Sequence, residues 1–233
     1  MINICMKELK LYFKKPLAYV FIGVFFMATA FRFVENMILG NPDIQNLFSQ
    51  FAGFLWVLIP ILSAGLFAYE KENGTDRFLF TAPISSFGIV FGKYLAALIV
   101  YVKALILTFL FTLVFIMHTK PDFMVVLNAY FAMFMYGSAV LAIGLFFGSV
   151  MKDRLASITL SIGLLIFMNQ IAMLKLIENL PKWLDKTVDF FAISSKYSAF
   201  FGSSVTPEAF VYFLSLAAIF ILATVIAVEN KSK

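Results

Sequence analysis

Charge is scarce in this sequence. Asp, Glu, Lys and Arg together make up 13% of its 233 residues, about half of what a soluble domain carries. The single cysteine, Cys5, excludes an internal disulfide. The single histidine, His118, falls in a short loop and reads as a solvated side chain, not as the centre of a metal cluster or a catalytic triad. A phosphate-binding loop is missing too. Residues 88–94, Gly-Ile-Val-Phe-Gly-Lys-Tyr, are one position short of the required spacing, put Tyr94 where a Ser or Thr must hold magnesium, and follow no strand. No nucleotide site and no cofactor of its own are expected of this chain.

Hydrocarbon is what the sequence has in quantity. Hydrophobic residues make up 62% of it, with 30 phenylalanines. They fall in runs of about 17 residues or more, the length a helix needs to cross a bilayer. One soluble core could not absorb six such runs. The expected fold is therefore all-α, a polytopic membrane protein with six transmembrane helices. The spans fall at about residues 17–33, 51–67, 94–117, 123–150, 155–174 and 209–228. The whole chain, 1–233, reads as one transmembrane domain. Its net charge of +5 does not point to nucleic acid, because the cations cluster at the ends of the apolar runs.

Residues 1–16 mix Ile4, Leu9, Leu11, Tyr12 and Phe13 with Lys7, Glu8, Lys10, Lys14 and Lys15. They form either an interfacial helix with its lysines on acidic lipid headgroups or a plain basic flank that sets topology. Ala28-Thr29-Ala30 has the small residues of a signal-peptidase site, but the stretch before that run is too long for a signal n-region, so cleavage is not expected. Pro60 removes a backbone bond inside the second span and kinks it, as a hinge or as a fixed bend. In residues 175–208, Leu176, Leu180, Leu184, Val188 and Phe191 recur among Lys182, Asp185, Lys186 and Asp189. That amphipathic segment is too polar to span and is expected on the outer surface, between spans five and six.

The connection between spans two and three, residues 70–93, carries Glu70, Lys71, Glu72, Asp76, Arg77 and Lys93. Gly74-Thr75 is a helix-start signal: Thr75 can cap, and Asp76 falls in a first turn, where the positive end of the dipole favours a carboxylate. Phe78, Leu79 and Phe80 supply an apolar face, and Pro83 stops the helix within about two turns. A short amphipathic helix is thus offered at a bilayer surface to a soluble partner.

Glu70-x-Glu72-x-Gly74-Thr75, then Thr81-Ala82-Pro83-Ile84-Ser85 and Gly92-Lys93, resembles the permeases of ABC type-2 transporters. The resemblance is closest to their gliding-motility and nitrous-oxide-cluster branch. Arg77-Phe78 stands where that family more often has leucines, while Asp76 keeps its acid. Lys14-Lys15-Pro16-Leu17-Ala18-Tyr19 fits the family's entry into the first span. Residues 195–202 with 211–215 resemble the same branch, although Lys196-Tyr197 replace its His-Phe pair and the arginine near the end of its last span is absent.

The resemblance implies that Glu70, Glu72, Gly74, Thr75, Asp76, Arg77, Phe78 and Pro83 form a cytoplasmic coupling helix seated on an ABC ATPase subunit. ATP would be bound by that partner, and two six-span permeases would pair, as a homodimer or a homologous heterodimer. Eleven cations lie on the side of the N-terminus, this connection, residues 152–154 and the C-terminus, against six on the other side. Both termini are accordingly expected in the cytoplasm, and the resemblance puts the protein in a bacterial inner membrane, among membrane lipids. The expected function is the membrane-spanning subunit of an ATP-driven, exporter-type transporter. The alternatives are a non-transporting scaffold of a surface or motility complex and, with less to support it, a membrane-embedded enzyme acting on lipid.

Within the spans three features ask for an explanation. Lys103 would lie roughly 14 Å into a helix starting near Tyr94. It belongs either to a pathway or to a span that begins later, with its ammonium reaching back to the headgroups. Asn169 and Gln170 are interhelical glue or line a path. Gly144 and Gly148 form a small-xxx-small pair that reads as packing within the subunit more readily than as a dimer seam.

Overall fold

The computed structural model describes residues 2–38, 40, 43–67, 74, 85–176, 181–201 and 206–232. An N-terminal helix, α1 (Ile2–Lys14), precedes α2 (Leu17–Ile38), α3 (Ile44–Ser63), α4 (Ser86–Thr119), α5 (Phe123–Val150) and α6 (Arg154–Gln170). A 3-10 segment, Ile171–Leu176, follows, then α7 (Lys182–Phe191), α8 (Ile193–Ser198), a 3-10 turn Ala199–Phe201, and α9 (Pro207–Ser232). Among the described residues six helices are long and apolar enough to cross a membrane: α2, α3 continued to Phe67, α4, α5, α6 continued to Leu174, and α9. The all-helical, six-span expectation is met.

Two spans begin earlier than hydropathy alone suggests, because polar residues cap or cross-link their ends. The second starts at Ile44, where the Asp43 carboxylate accepts from the Gln45 N–H at 2.9 Å. The polar turn it adds is used: Asn36 of α2 donates to Gln50 of α3 at 3.1 Å, and Gln50 to Asn46 at 3.3 Å. The third starts at Ser86, with the Ser85 hydroxyl accepting from the Gly88 N–H. It ends at Lys120, whose φ of 47° turns the chain left-handed. At 34 residues α4 is about 50 Å long, well beyond a hydrocarbon core of about 30 Å. A helix of that length has turns to spare beyond the hydrocarbon or crosses it at a tilt.

The centre of the bundle is α5. Of its apolar stretch 72% is buried, against 22–56% in the other five spans. Small residues let neighbours approach. Gly137 lies under the Tyr101 ring, whose hydroxyl donates to the Met133 carbonyl at 2.6 Å. Tyr94 donates to the Ser138 carbonyl at 3.1 Å. Gly144 faces Ser63 and Pro60 of α3, and Gly148 faces the Ala64 backbone. The glycine pair therefore packs α5 on α3 within one subunit. Pro60 is buried in that contact, and its carbonyl accepts from the Ala64 N–H.

On the outside, Val20, Val24, Met27, Phe31, Val34 and Ile38 of α2 are all exposed. Their spacing of three and four residues makes one stripe, the face a span gives to hydrocarbon. The segment after α6 is broken, not one continuous helix: α7 stops at Ala192 (ψ 90°) and α8 starts there. It is pinned to the bundle by Tyr197, whose hydroxyl donates to the Phe48 carbonyl at 3.0 Å. Ser194 pins it again, donating to the Asn169 carbonyl at 3.2 Å.

Candidate functional site

The sequence directs attention to the connection between α3 and α4. Glu70, Glu72, Thr75, Asp76, Arg77, Phe78 and Pro83 lie outside the described residues. Gly74 is described: it is exposed, with φ +66°, a left-handed conformation that glycine adopts at little cost. What frames this connection is well defined. Its two ends are tied together and to α1 by one lysine.

Lys93, eight residues into α4, is fully buried and its ammonium lies 3.0 Å from the Glu8 carboxylate of α1. The same ammonium reaches the Leu66 carbonyl at the end of α3, at 3.4 Å, and lies 5.1 Å from the Phe67 ring centroid. Glu8 itself is 4% exposed. One turn further along α1, Tyr12 donates to the Leu62 carbonyl at 2.8 Å. Burial pushes the Tyr12 hydroxyl well above its ordinary range, the Glu8 carboxylate adding to the shift and Arg154 opposing it, so it remains a neutral donor. Arg154, at the start of α6, lies over Gly65, its Nε 3.1 Å from where a β-carbon would stand.

Four helices thus converge where the connection leaves and re-enters the bundle. Buried ion pairs gain little net stability over apolar packing, but they are costly to break by halves. This one therefore specifies how α1 seats: Ile4, Cys5, Glu8 and Tyr12 form the buried face, while Lys7, Lys10 and Lys14 face outward. Composition marks α1 only as basic and amphipathic. The signal for its anchor was Glu8 itself, an acid standing on the apolar stripe of a lysine-rich helix.

The polar residues that the sequence singled out inside the spans, Lys103 and the Asn169–Gln170 pair, fall in two separate places. Lys103 is exposed, and its ammonium stands 4.2 Å from the Phe13 ring centroid at the end of α1, a cation–π contact at the level of the interfacial helix. Asn169 donates to the Leu165 carbonyl at 2.8 Å and lies 3.5 Å from the Tyr136 hydroxyl. With Gln170, Ser49, Trp56, Tyr136 and Tyr197 it lines a cavity of about 220 Å³ at the opposite end of the molecule. Lys103 and the Asn169–Gln170 pair are not brought together. Among the described residues no three His, Cys, Asp or Glu side chains gather into a candidate metal site.

No individual curated protein matches this chain significantly. A family model described as ABC-2 family transporter protein matches residues 17–230. The match runs from the first residue of α2 to the last turn of α9 and takes in all six apolar helices. With hydropathy, helix lengths and family in agreement, the protein is a multi-pass membrane protein, and the chain belongs to the ABC-2 family of transporter proteins.

Proposed function

We propose that this membrane subunit couples ATP hydrolysis, carried out by a separate cytoplasmic ABC ATPase, to export. The family match over residues 17–230 carries the reading. In this reading Glu70, Glu72, Gly74, Thr75, Asp76, Arg77, Phe78 and Pro83 form the coupling surface. ATP belongs to the partner, and this chain holds no cofactor. Both termini are cytoplasmic, and the membrane is a bacterial inner membrane. The excess of cations at the α1 end of the spans supports that orientation. The motif from Glu70 to Lys93 favours the gliding-motility and nitrous-oxide-cluster branch. The tie from Lys93 to both Glu8 and Leu66 supports coupling at this end, since a push on the connection would reach α1, α3 and α4 at once. Lys103 anchors α4 at the interface, and Asn169 and Gln170 join the outer ends of the helices.

Charge reversal tests the coupling surface. Asp76→Lys and Arg77→Glu should insert and fold as the parent does, because they leave hydrocarbon packing untouched. Each should lower capture of the ATPase at least about tenfold, since juxtaposed like charges at a contact cost several kcal/mol. Gly74→Val should weaken capture through the backbone, because its φ of +66° strains any branched side chain. Undiminished pull-down by the two charge variants at matched membrane levels would move the docking surface elsewhere, most directly to residues 152–154.

A pair of six-span subunits is the natural transport unit in this reading, either two copies or one copy with a homologue. The purified complex should therefore weigh as two permeases with two ATPases. A single permease bound to an ATPase pair would contradict it. Vesicle transport driven by ATP separates export from a scaffold that spends ATP mechanically, as in a surface or motility complex.

A further inference from the structure

A cavity of about 220 Å³ lies between α3, α5, α6 and α8, at the end of the bundle away from α1. We propose that it binds one neutral polyhydroxyl ring, a pyranose, stacked on Trp56 and hydrogen-bonded by Tyr136, Asn169 and Gln170.

The residues around this cavity keep hydrogen-bonding capacity in hand. Asn169 donates to the Leu165 carbonyl at 2.8 Å, and a carbonyl can only accept, so the amide nitrogen is fixed on that side. The same nitrogen lies 3.5 Å from the Tyr136 hydroxyl. Tyr136 thus meets a donor there and must give its own proton elsewhere, yet no acceptor for it stands among the described residues. Tyr136 is 2% exposed, and a buried hydroxyl proton without an acceptor is uncommon and costly. It lines the cavity, where a ligand can supply that acceptor. The Asn169 amide oxygen, the Gln170 side-chain amide and the Trp56 indole N–H have no partner among the described residues either, and all three side chains line the same cavity.

The mixture of surfaces decides which ligand matches. Trp56 and Ile166 give the cavity an apolar wall. An apolar ligand would cover that wall and leave the Tyr136 hydroxyl and two amides unsatisfied. An ion calls for a side chain of opposite charge, and none of the described lining residues is charged. A sugar ring presents hydroxyls round its edge, each donor and acceptor at once, and C–H groups on its faces. The edge suits the Tyr136 hydroxyl, which donates, the Asn169 oxygen, which accepts, and the Gln170 amide, which does both. The face suits the flat indole of Trp56. The volume falls below the roughly 300 Å³ at which pockets for drug-sized ligands begin, so one ring fits and an oligosaccharide does not. The mouth is open: Ser49, Gly53 and Gln170 are exposed, and a β-carbon at Gly53 would meet nothing within 4 Å. This site goes beyond the coupling reading and stands without it, since it lies at the other end of the molecule.

The test uses the full chain in phosphatidylcholine nanodiscs free of glycoside detergent, with neither ATP nor ATPase present. The sequence has two tryptophans, so Trp183→Phe leaves Trp56 as the reporter. Methyl glucoside, methyl galactoside and methyl mannoside are titrated against its emission. At least one should give a saturable shift, half-complete on the order of a millimolar, the strength open to a ligand of that size. Tyr136→Phe and Gln170→Ala should each weaken that affinity about fivefold, the share of one neutral hydrogen bond. Both variants should keep the parent's thermal midpoint within a few degrees, since one loses a single oxygen and the other changes an exposed side chain. A shift also given by monoglucosyl diacylglycerol in the disc, and reversed by the soluble glycoside, assigns the site to a lipid-borne sugar; soluble binding alone assigns it to a free one. The proposal is overturned if none of the soluble glycosides gives a saturable shift, or if the two variants bind as the parent does. It is overturned if cyclohexanol binds as well as the glycosides, which would mean a merely apolar pocket. Glucosamine or glucuronate binding about tenfold tighter than methyl glucoside would mean a charged site and overturn it too.

Discussion

Lys93→Met should be among the most destabilising substitutions in the protein, costing about 3–5 kcal/mol. The change removes little volume and adds no polar atom. Its cost arises from what it leaves behind: Glu8, 4% exposed, loses the ammonium 3.0 Å away in a region of low dielectric. The Leu66 carbonyl loses its contact at 3.4 Å as well. Replacing both members, Glu8→Leu with Lys93→Met, should recover most of the loss, because an apolar pair of similar size needs no desolvation. The measurement is the thermal midpoint and monodisperse yield of the two single variants and the double in one detergent. Losses that simply add would show that the two residues do not act as a pair. A single-variant loss below about 1 kcal/mol, the value of an exposed salt bridge, would show that the site is wet. Raising the salt concentration should change little, since buried charges are screened less than exposed ones.

Gly148→Val should produce the largest effect of any substitution that leaves charge alone. A β-carbon at position 148 would stand 2.5 Å from the Ala64 carbonyl oxygen and 3.2 Å from the Ala64 Cα. Those are backbone atoms, so no rotamer can clear the way, and α5 must move off α3. That contact lies in the last turn of the most buried span. A loss of about 3 kcal/mol, the upper part of the ordinary overpacking range, is expected. Gly144→Val should act in the same direction against Ser63, whose side chain has some freedom to turn. Gly23→Ala is the control: its β-carbon would meet nothing within 4 Å, and the stability should stay level or rise by up to about 1 kcal/mol through helix propensity. Folded yield and thermal midpoint at matched expression read all three. A Gly148→Val protein as stable as the parent would mean that α3 and α5 do not meet there.

Some of this architecture is legible one segment at a time. A run of about 17 apolar residues matches the thickness of hydrocarbon whatever surrounds it, so the six spans and the all-helical class follow from the sequence. The caps are local too: Asp43, Ser85, Asp122 and Asp153 each accept from a backbone N–H two or three residues on, and such side chains are readable before any fold is known. The motif from Glu70 to Lys93 pointed to the family that the match over residues 17–230 establishes. Span boundaries were less legible, since hydropathy discounts Asn46, Gln50 and Lys93 although all three are helical.

The tertiary structure decided which residues meet. Glu8 and Lys93 are 85 positions apart, and each alone looks like an interfacial charge; only the seating of α1 against α4 turns them into a buried pair. Gly144 and Gly148 announce a close approach without naming the partner, and it is the α3 backbone at Ser63 and Ala64 that arrives. Lys103 lies at mid-span by residue count, yet α1 places the Phe13 ring within reach of its ammonium. The physical reason is common to all three. Hydropathy and capping are properties of one stretch of chain in a solvent, whereas a pair in low dielectric or a contact under a glycine exists only once two stretches have been positioned against each other.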